Sequence, residues 1–299
     1  MTYGVGDSAA ALLSPHTQRI VSAAVVFGSF LLMFILETIR PLRRSIEPKL
    51  RRNIRNLTNG GVSLAILTLL QAPLLIPVAR WSAEHRIGLL NMMAMPRWLA
   101  ITLAIILLDY TLWIWHWANH VVPVLWRFHL VHHIDLDLDA STALRFHFGE
   151  LTLSIFYRAL QIIIIGASTS SVWVWQTILF ASILFHHSNL RLPVAIERWL
   201  VRFIVTPRMH GIHHSNRVNE TNSNWSSLLS WWDYAHRTIL LNVPHDTITI
   251  GVAAYGDPSE VTIGRILMLP FRRQRDDWRL PDGEISRREH QPIPQELAP

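Results

Sequence analysis

The chain has 299 residues, of which 50% are hydrophobic and 16% are charged, so it is too apolar to be disordered and long enough to bury a sizeable core. Lys and Arg number 27 against 21 Asp and Glu, and the mean hydropathy is +0.25. We expect a membrane protein and no nucleic-acid partner, because the basic residues flank apolar segments instead of forming a stripe. Cysteine is absent, which excludes disulfides, thiolate metal sites, iron–sulfur clusters and cysteine nucleophiles.

Three apolar segments predict membrane-spanning helices. Residues 20–36 are uncharged and long enough to cross the hydrocarbon core, and we interpret them as an uncleaved span because no small-residue cleavage site follows. Residues 62–79 form a second span in which Pro73 and Pro77 are expected to kink the helix or end it early. The third span runs from about residue 98 to residue 118.

Residues 151–186 are apolar over a length that would measure about 54 Å as one helix, far more than a bilayer. The small polar run at 166–171 therefore predicts a turn between two short helices. After Leu190 the hydropathy is mixed, and five aromatic residues predict amphipathic helices at the membrane interface. These residues are Trp199, Phe203, Trp225, Trp231 and Trp232.

The fold class that follows is all-α, a polytopic membrane protein with about four to five transmembrane or hairpin helices. Seven basic residues lie between the first two spans but only three between the second and the third, so the first loop is expected in the cytoplasm. Counting crossings from there places a helical cap with all the clustered histidines on the cytoplasmic face.

Sixteen histidines are present, and eleven lie between His116 and His214. Three boxes, at residues 116–120, 129–133 and 210–214, repeat histidine at helical spacings of three and four, so each presents its imidazoles on one side of a helix. A looser fourth element is His186-His187-Ser188-Asn189. All-imidazole sites suit first-row transition metals, and eight or nine ligands exceed one ion, which predicts two. The isolated residues His16, His85, His245 and His290 are expected to be solvated or simply hydrogen-bonded.

The boxes and the residues around them resemble the fatty acid hydroxylase or sterol desaturase superfamily of membrane di-iron oxygenases. The resemblance covers about residues 109–238 and rests on the strings Leu-Trp-Arg-Phe-His at 125–129, Ser-Thr-Ala-Leu-Arg-Phe-His-Phe-Gly-Glu at 141–150, Thr-Pro-Arg-Met-His at 206–210 and Trp-Trp-Asp at 231–233. It implies three regions: N-terminal transmembrane helices with a basic loop at 1–96, a di-iron catalytic domain at 97–245, and a C-terminal segment with a polar tail at 246–299.

The resemblance also implies a ligand set for two non-haem irons. These ligands are His116, His120, His129, His132, His133, His210, His213 and His214, with one more near the hairpin end, where we favour His187 over His186 because of its Ser-Asn neighbours. The sequence departs from the family pattern after Asp233, where His236 stands in place of a packing aromatic or as an outer support. The role of His147 stays open between ligand and support.

A ligating histidine usually donates its second N–H to a carboxylate or carbonyl, which suggests candidates for supporting residues. They are Asp109, Asp135, Asp139, Glu150, Asn224 and Asp233. For the acidic residues at 135–139 a solvated loop is the alternative.

The resemblance implies an enzyme of lipid biosynthesis that uses O₂ and external electrons to hydroxylate, or less expectedly desaturate, a C–H bond of a lipid or sterol-like substrate. No haem domain or dinucleotide fingerprint is recognisable, so electrons are expected from a separate donor protein. The alternative function is a histidine-rich membrane metal transporter or metal sensor. Transport sites usually lie on broken helices at the bilayer midplane, whereas these boxes follow the ends of spans.

Overall fold

The computed structural model describes residues 13–280 and 282–288. Over these residues the regular structure is helical, and β-pairing is limited to isolated bridges such as Ile204 with Leu229. Eleven α-helices follow one another in the described part of the chain. They are α1 (Pro15–Ile39), α2 (Lys49–Glu84), α3 (Arg97–Val121), α4 (Pro123–His133), α5 (Phe148–Ile165), α6 (Thr169–His187), α7 (Val194–Leu200), α8 (Pro207–His213), α9 (Val218–Thr221), α10 (Trp231–His236) and α11 (Ile263–Met268).

Four helices of the described chain, α1, α2, α3 and α5, are long and apolar enough to cross a membrane. The predicted all-α, polytopic fold is therefore confirmed, and the predicted first and third spans lie within α1 and α3. The second span lies within α2 and does not end early, because α2 continues through Pro73 and Pro77 to Glu84. Prolines are tolerated inside membrane helices when neighbouring groups satisfy the freed backbone carbonyls.

The predicted hairpin is formed by α5 and α6, which are joined at Gly166–Ala167–Ser168. Gly166 ends α5 with φ 75° and ψ 34°, a left-handed conformation that favours glycine. Ser168 begins α6 by accepting a hydrogen bond from the Ser171 backbone amide. Gly88 packs against this turn so closely that a Cβ on Gly88 would lie 2.3 Å from the Gly166 nitrogen. The two glycines thus bring the loop after α2 onto the hairpin.

The long helices share one apolar core. Helix α2 packs along α5, whereas α1 and α3 pack against α6. Leu108 of α3, Ile162 of α5 and Trp175 of α6 are fully buried in this core. This packing fixes the ends of α3 and α6, which carry two of the histidine elements.

The five aromatics predicted at the interface after Leu190 differ in burial, and Trp232 is half-buried. Trp199, Phe203 and Trp231 are exposed on short helices or beside them, as an interfacial location requires. Trp225 contradicts the prediction, because it is buried and its ring packs 6.0 Å from that of Trp113 on α3. Its location is internal because the chain between α9 and α10 folds against the end of α3.

Candidate metal centre

Two consecutive helices carry five of the clustered histidines. His116 and His120 lie one turn apart near the end of α3. Val122 separates α3 from α4, and Pro123 at the first position of α4 starts the new helix without losing a backbone hydrogen bond. The box at 129–133 then occupies the last turn of α4, where it faces the end of α3.

The other four predicted ligands come from the end of the hairpin, on α6, and from the third box, on α8 and directly after it. His187 is the last residue of α6. The short helix α8 begins at Pro207, and the hydroxyl of the preceding Thr206 caps it by accepting a hydrogen bond from the Met209 amide. It places His210 and His213 one turn apart, with His214 directly after the helix.

The nine predicted ligands form two groups in the structure. Five imidazoles converge in one group, and four converge in the second; in each, one nitrogen per residue lies within 4.8 Å of all the others. The first group is His116, His120, His129, His133 and His213, and the second is His132, His187, His210 and His214. The groups adjoin, since the rings of His133 and His214 stack at 4.4 Å.

The inward nitrogens fit a metal. In the second group Nε2 of His187 lies 3.1 Å from Nε2 of His132 and 3.0 Å from Nε2 of His210, and His214 Nε2 is 3.1 Å from His210 Nε2. In the first group the Nε2 atoms of His120, His129, His133 and His213 are buried without a hydrogen-bond partner among the described residues. Converging or orphaned imidazole nitrogens of this kind are the donor set that a transition metal uses.

The outward nitrogens of several ligands are held by acceptors. His116 Nδ1 lies 2.7 Å from the Trp225 carbonyl, and His213 Nδ1 lies 2.8 Å from the Ser223 carbonyl. His187 Nδ1 lies 2.9 Å from the carbonyl of residue 183, one turn earlier in α6. With the proton on Nδ1, each of these rings presents its Nε2 lone pair to the centre.

The pKa values of the imidazoles on α4 and α8 lie below their usual range. Burial lowers the pKa of His132, His133, His210 and His214, and neighbouring imidazoles lower each further, because an added positive charge would be repelled. Burial also lowers the pKa of His213 to about 3. These side chains are therefore neutral near pH 7, which is the form that binds metals.

Three of the predicted supporting residues contact the centre directly or hold its backbone. Glu150 accepts a hydrogen bond from His129 Nδ1 at 2.9 Å. Asn224, at φ 54°, donates to the Met209 and Leu240 carbonyls and so ties the 223–225 segment to α8. Asp233 accepts hydrogen bonds from the Trp225 and Ser226 amides, which positions the carbonyl that meets His116.

Asp109 was predicted to accept a hydrogen bond from a ligating histidine, but its partners are other residues. Its carboxylate accepts hydrogen bonds from the Trp232 indole at 2.7 Å and from the Leu229 amide at 3.1 Å, not from a histidine. Asp109 therefore joins α3 to the start of α10.

Asp135 and Asp139 form neither a solvated loop nor a support for the histidines. Both are buried, as is Asp137, and they pair with the beginning of α2. Arg52 bonds to both Asp135 and Asp139, and Arg55 lies 3.2 Å from Asp135. Although burial opposes ionisation, the guanidinium groups around Asp135 hold its pKa below the usual range.

This ionic network contains residues that the sequence did not single out. Asn56 donates to Asp135 at 2.8 Å, and Arg145 donates to the Asn56 side chain and to the Val131 carbonyl within α4. The sequence signal for this network is the presence of both an Asp-x-Asp-x-Asp string at 135–139 and a basic stretch near residue 50. The network ties α2 to the helix that carries the second histidine box.

The remaining predicted residues lie outside both groups. His147 caps α5: its Nδ1 accepts from the Gly149 amide, and its Nε2 lies 3.1 Å from the Leu267 carbonyl. His186 is buried beside the second group, 4.2 Å from His210 between ring centroids. His236 stacks on Trp113 at 4.1 Å, which is the contact of a packing aromatic.

The isolated histidines also lie apart from the two groups. His16 and His85 are exposed, as predicted, whereas His245 is half-buried and its Nδ1 has no hydrogen-bond partner among the described residues. His290 lies outside the described residues.

Known proteins resemble this chain over the same region. Residues 101–238 match the family model described as fatty acid hydroxylase. The chain is 28% identical over 221 residues to the ornithine lipid hydroxylase OlsE of Rhizobium tropici, a match that covers 73% of this chain and 64% of that protein. It is 24% identical over 136 residues to cholesterol 25-hydroxylase of Mus musculus, covering 44% of each.

A third relative is alkylglycerol monooxygenase of Xenopus tropicalis, 26% identical over 125 residues, which are 42% of this chain and 27% of that protein. The matches thus span less than two thirds of each relative's length. No solved structure matches the chain.

Fold and site together define a multi-pass helical membrane protein that gathers nine histidines where α3, α4, α6 and α8 meet. Over residues 101–238 the chain is similar to the fatty acid hydroxylase family.

Proposed function

We propose that this protein is a non-haem di-iron oxygenase that hydroxylates a C–H bond of a lipid or sterol-like molecule. The observation that carries the proposal is the pair of adjoining imidazole groups, five residues in one and four in the other. A single ion does not take nine nitrogen ligands, whereas two ions divide them as the structure does. The first group would hold one iron and the second group the other.

Two bound irons would supply O₂ activation, with the net reaction RH + O₂ + 2 e⁻ + 2 H⁺ → ROH + H₂O. The chain's own residues bind, orient and shield that centre. Glu150 and the carbonyls of Ser223 and Trp225 fix the rings of the first group, so the imidazoles present Nε2 without further reorganisation. All nine imidazoles except that of His120 are buried, and His120 is half-buried, which limits water at the reacting C–H bond.

The substrate class follows from the membrane helices and the relatives. The relatives' names are those of an ornithine lipid hydroxylase, a cholesterol hydroxylase and an alkylglycerol monooxygenase, which favours a lipid substrate and hydroxylation over desaturation. We further propose that the electrons come from a separate donor protein and that the histidine centre faces the cytoplasm. The proposed catalytic unit is residues 97–245, which contain the family match at 101–238.

Incubation with a membrane lipid extract under ¹⁸O₂, with reductant, tests the proposal. We expect lipid products heavier by one ¹⁸O atom, absent in His187→Ala and unaffected by His85→Ala, whose side chain is exposed on the loop after α2. The rival function, metal transport, predicts metal flux into reconstituted vesicles and no labelled lipid. Desaturated products without an added oxygen would overturn hydroxylation.

A further inference from the structure

A cavity of about 290 Å³ lies beside the second histidine group but outside it. Its walls come from the loop between α1 and α2, from residues 136–139 and from residues 248–250. The cavity therefore opens where the chain leaves the first membrane helix, at the depth of a lipid headgroup if α1 spans the bilayer.

Arg43 lines this cavity, and its entire guanidinium group lacks a hydrogen-bond partner among the described residues. Its backbone is fixed on both sides by Asn189, which accepts from the Arg43 amide and donates to the Arg43 carbonyl, each at 2.8 Å. Its three guanidinium nitrogens are buried and have no hydrogen-bond partner among the described residues. A buried polar group without a partner is rare in folded proteins and indicates a missing ligand or solvent.

Helix α8 has a glycine, Gly211, at the point where the Arg43 side chain approaches it. A Cβ on Gly211 would lie 2.3 Å from Arg43 Nη1, so glycine is required there for the guanidinium to approach. Gly211 stands between His210 and His213, and the cation is therefore held directly against the third histidine box.

The carboxylates near Arg43 are already engaged. Glu37 lies 2.9 Å from Lys49 and accepts two backbone amides. Asp137 accepts the two backbone amides of residues 46 and 47, and Glu197 is paired with Arg208 at 2.7 Å. Arg43 therefore interacts electrostatically with these carboxylates but has no hydrogen bond to any of them.

The Arg43 guanidinium stays charged despite its surroundings. Burial and the nearby Arg208 cation lower the pKa of Arg43 to about 10, well above neutral pH. A buried cation without a bonded anion is costly, and a guanidinium offers a fork of N–H groups that matches the oxygens of carboxylate and phosphate.

We propose that this cavity binds an anionic oxygen group, a phosphate or a carboxylate, through Arg43. Ile46 in the cavity wall is exposed by 63%, and Ile39 and Leu50, each next in the chain to a wall residue, are exposed by 69% and 74%, as is expected at a membrane surface. This makes the headgroup of an anionic lipid the expected source of the group, and a free inorganic anion the other source of the same chemistry. Binding of the anion does not require bound iron.

Native mass spectrometry of the full-length protein tests the lipid source. The protein in detergent is exchanged against equal amounts of phosphatidylglycerol and phosphatidylcholine, and retained lipid is counted for wild type, Arg43→Gln and the control Arg51→Gln, an exposed residue of α2 outside the cavity. We expect wild type and Arg51→Gln to retain at least fivefold more phosphatidylglycerol than phosphatidylcholine, and Arg43→Gln to lose that preference.

A second arm tests the free anion. Inorganic phosphate added to lipid-free protein in detergent should raise the melting temperature of wild type but not of Arg43→Gln if the occupant is a free ion, and that result alone would still support the site. Equal lipid preference and equal phosphate response in wild type and Arg43→Gln would overturn it. Iron content measured on the same samples separates this outcome from failure of the proposed function, because Arg43→Gln should retain the iron of wild type.

Discussion

At the residue scale, individual hydrogen bonds distinguish the residues that orient a histidine ring from the histidines that would bind metal. Glu150 is the only carboxylate that the described structure places on a ligand ring, His129, at 2.9 Å. Residues of this kind orient the ring and raise its basicity, and their loss typically weakens metal binding about 10–100-fold.

Glu150→Ala should therefore lower the iron affinity of the five-histidine group about 10–100-fold. Glu150→Gln is the matched control, because its amide oxygen still accepts the His129 proton and the loss should be smaller. Iron retained against increasing chelator concentration measures both. Iron retention equal to wild type in Glu150→Ala would contradict the supporting role.

Arg52 is the second residue whose substitution has a clear expectation. It bonds to both Asp135 and Asp139 in a buried network, and removing one partner of a buried ion pair costs about 3–5 kcal/mol because the other charge stays behind. Arg52→Ala should lower the free energy of unfolding by about that amount, measured by SDS titration in mixed micelles. Arg51→Ala, one residue away and exposed, should change it by less than about 0.5 kcal/mol. Equal effects of the two substitutions would be inconsistent with the network.

The imidazole patches were predictable from sequence because helical spacing is local information. The second histidine box at 129–133 lies on α4 alone, as its spacing predicts. Its division between the two groups, with His129 and His133 in the first and His132 in the second, is not given by that spacing. The role of Asp135 was not predictable in this way, because its partners on α2 lie about eighty residues earlier in the chain. The role of His147 likewise depends on where α5 begins, which the histidine spacing does not indicate.

At the element scale, the most extensive contact in the described chain is between α2 and α5. Helix α2 also contacts the turn at residues 142–144, which follows α4. Gly60 marks the closest approach, since a Cβ there would lie 2.8 Å from the Leu144 carbonyl oxygen and 3.0 Å from the Leu144 Cβ. A Cβ on Gly61 would have nothing within 4 Å. The two adjacent glycines therefore differ in what a methyl group would meet.

Gly60→Ala should destabilise the protein by about 1–3 kcal/mol, because the methyl group forces the backbone of α2 away from residue 144. Gly61→Ala should be neutral or stabilising by up to about 1 kcal/mol, because alanine favours the helix. SDS titration of both variants measures the difference. A Gly60→Ala variant as stable as Gly61→Ala would show that the two segments are not in contact.

The long apolar helices could be predicted from hydropathy, but the residues at which they end could be predicted only in part. The turn at Gly166 followed from a run of small polar residues, whereas the continuation of α2 through Pro73 and Pro77 depends on packing against neighbouring helices. Sequence pattern does not report such packing. The burial of Trp225 had the same cause, since its environment is provided by α3.

The buried histidines make stability depend on pH at the scale of the whole molecule. The folded-state pKa of His213 is lowered to about 3, from about 6.5, so the unfolded chain binds the proton more readily. Stability from this residue is fully present above about pH 6.5 and is lost as the pH falls toward 3; at pH 5 the loss is about 2 kcal/mol.

The metal-free protein should accordingly melt at a lower temperature at pH 5 than at pH 7, and His213→Asn should show a weaker pH dependence. Thermal unfolding in detergent at a series of pH values measures this. His85→Asn is the control, because that ring is exposed and its substitution should leave the pH dependence unchanged. A melting temperature independent of pH between 7 and 5 would contradict burial of neutral imidazoles.

The central claim is that two adjoining groups of histidines bind two irons, and metal content per chain tests it most directly. Elemental analysis of the purified, iron-reconstituted protein should give about two irons in wild type. His132→Ala, in the four-histidine group, and His120→Ala, in the five-histidine group, should each lose iron. A single zinc per chain, unaffected by either substitution, would contradict the claim.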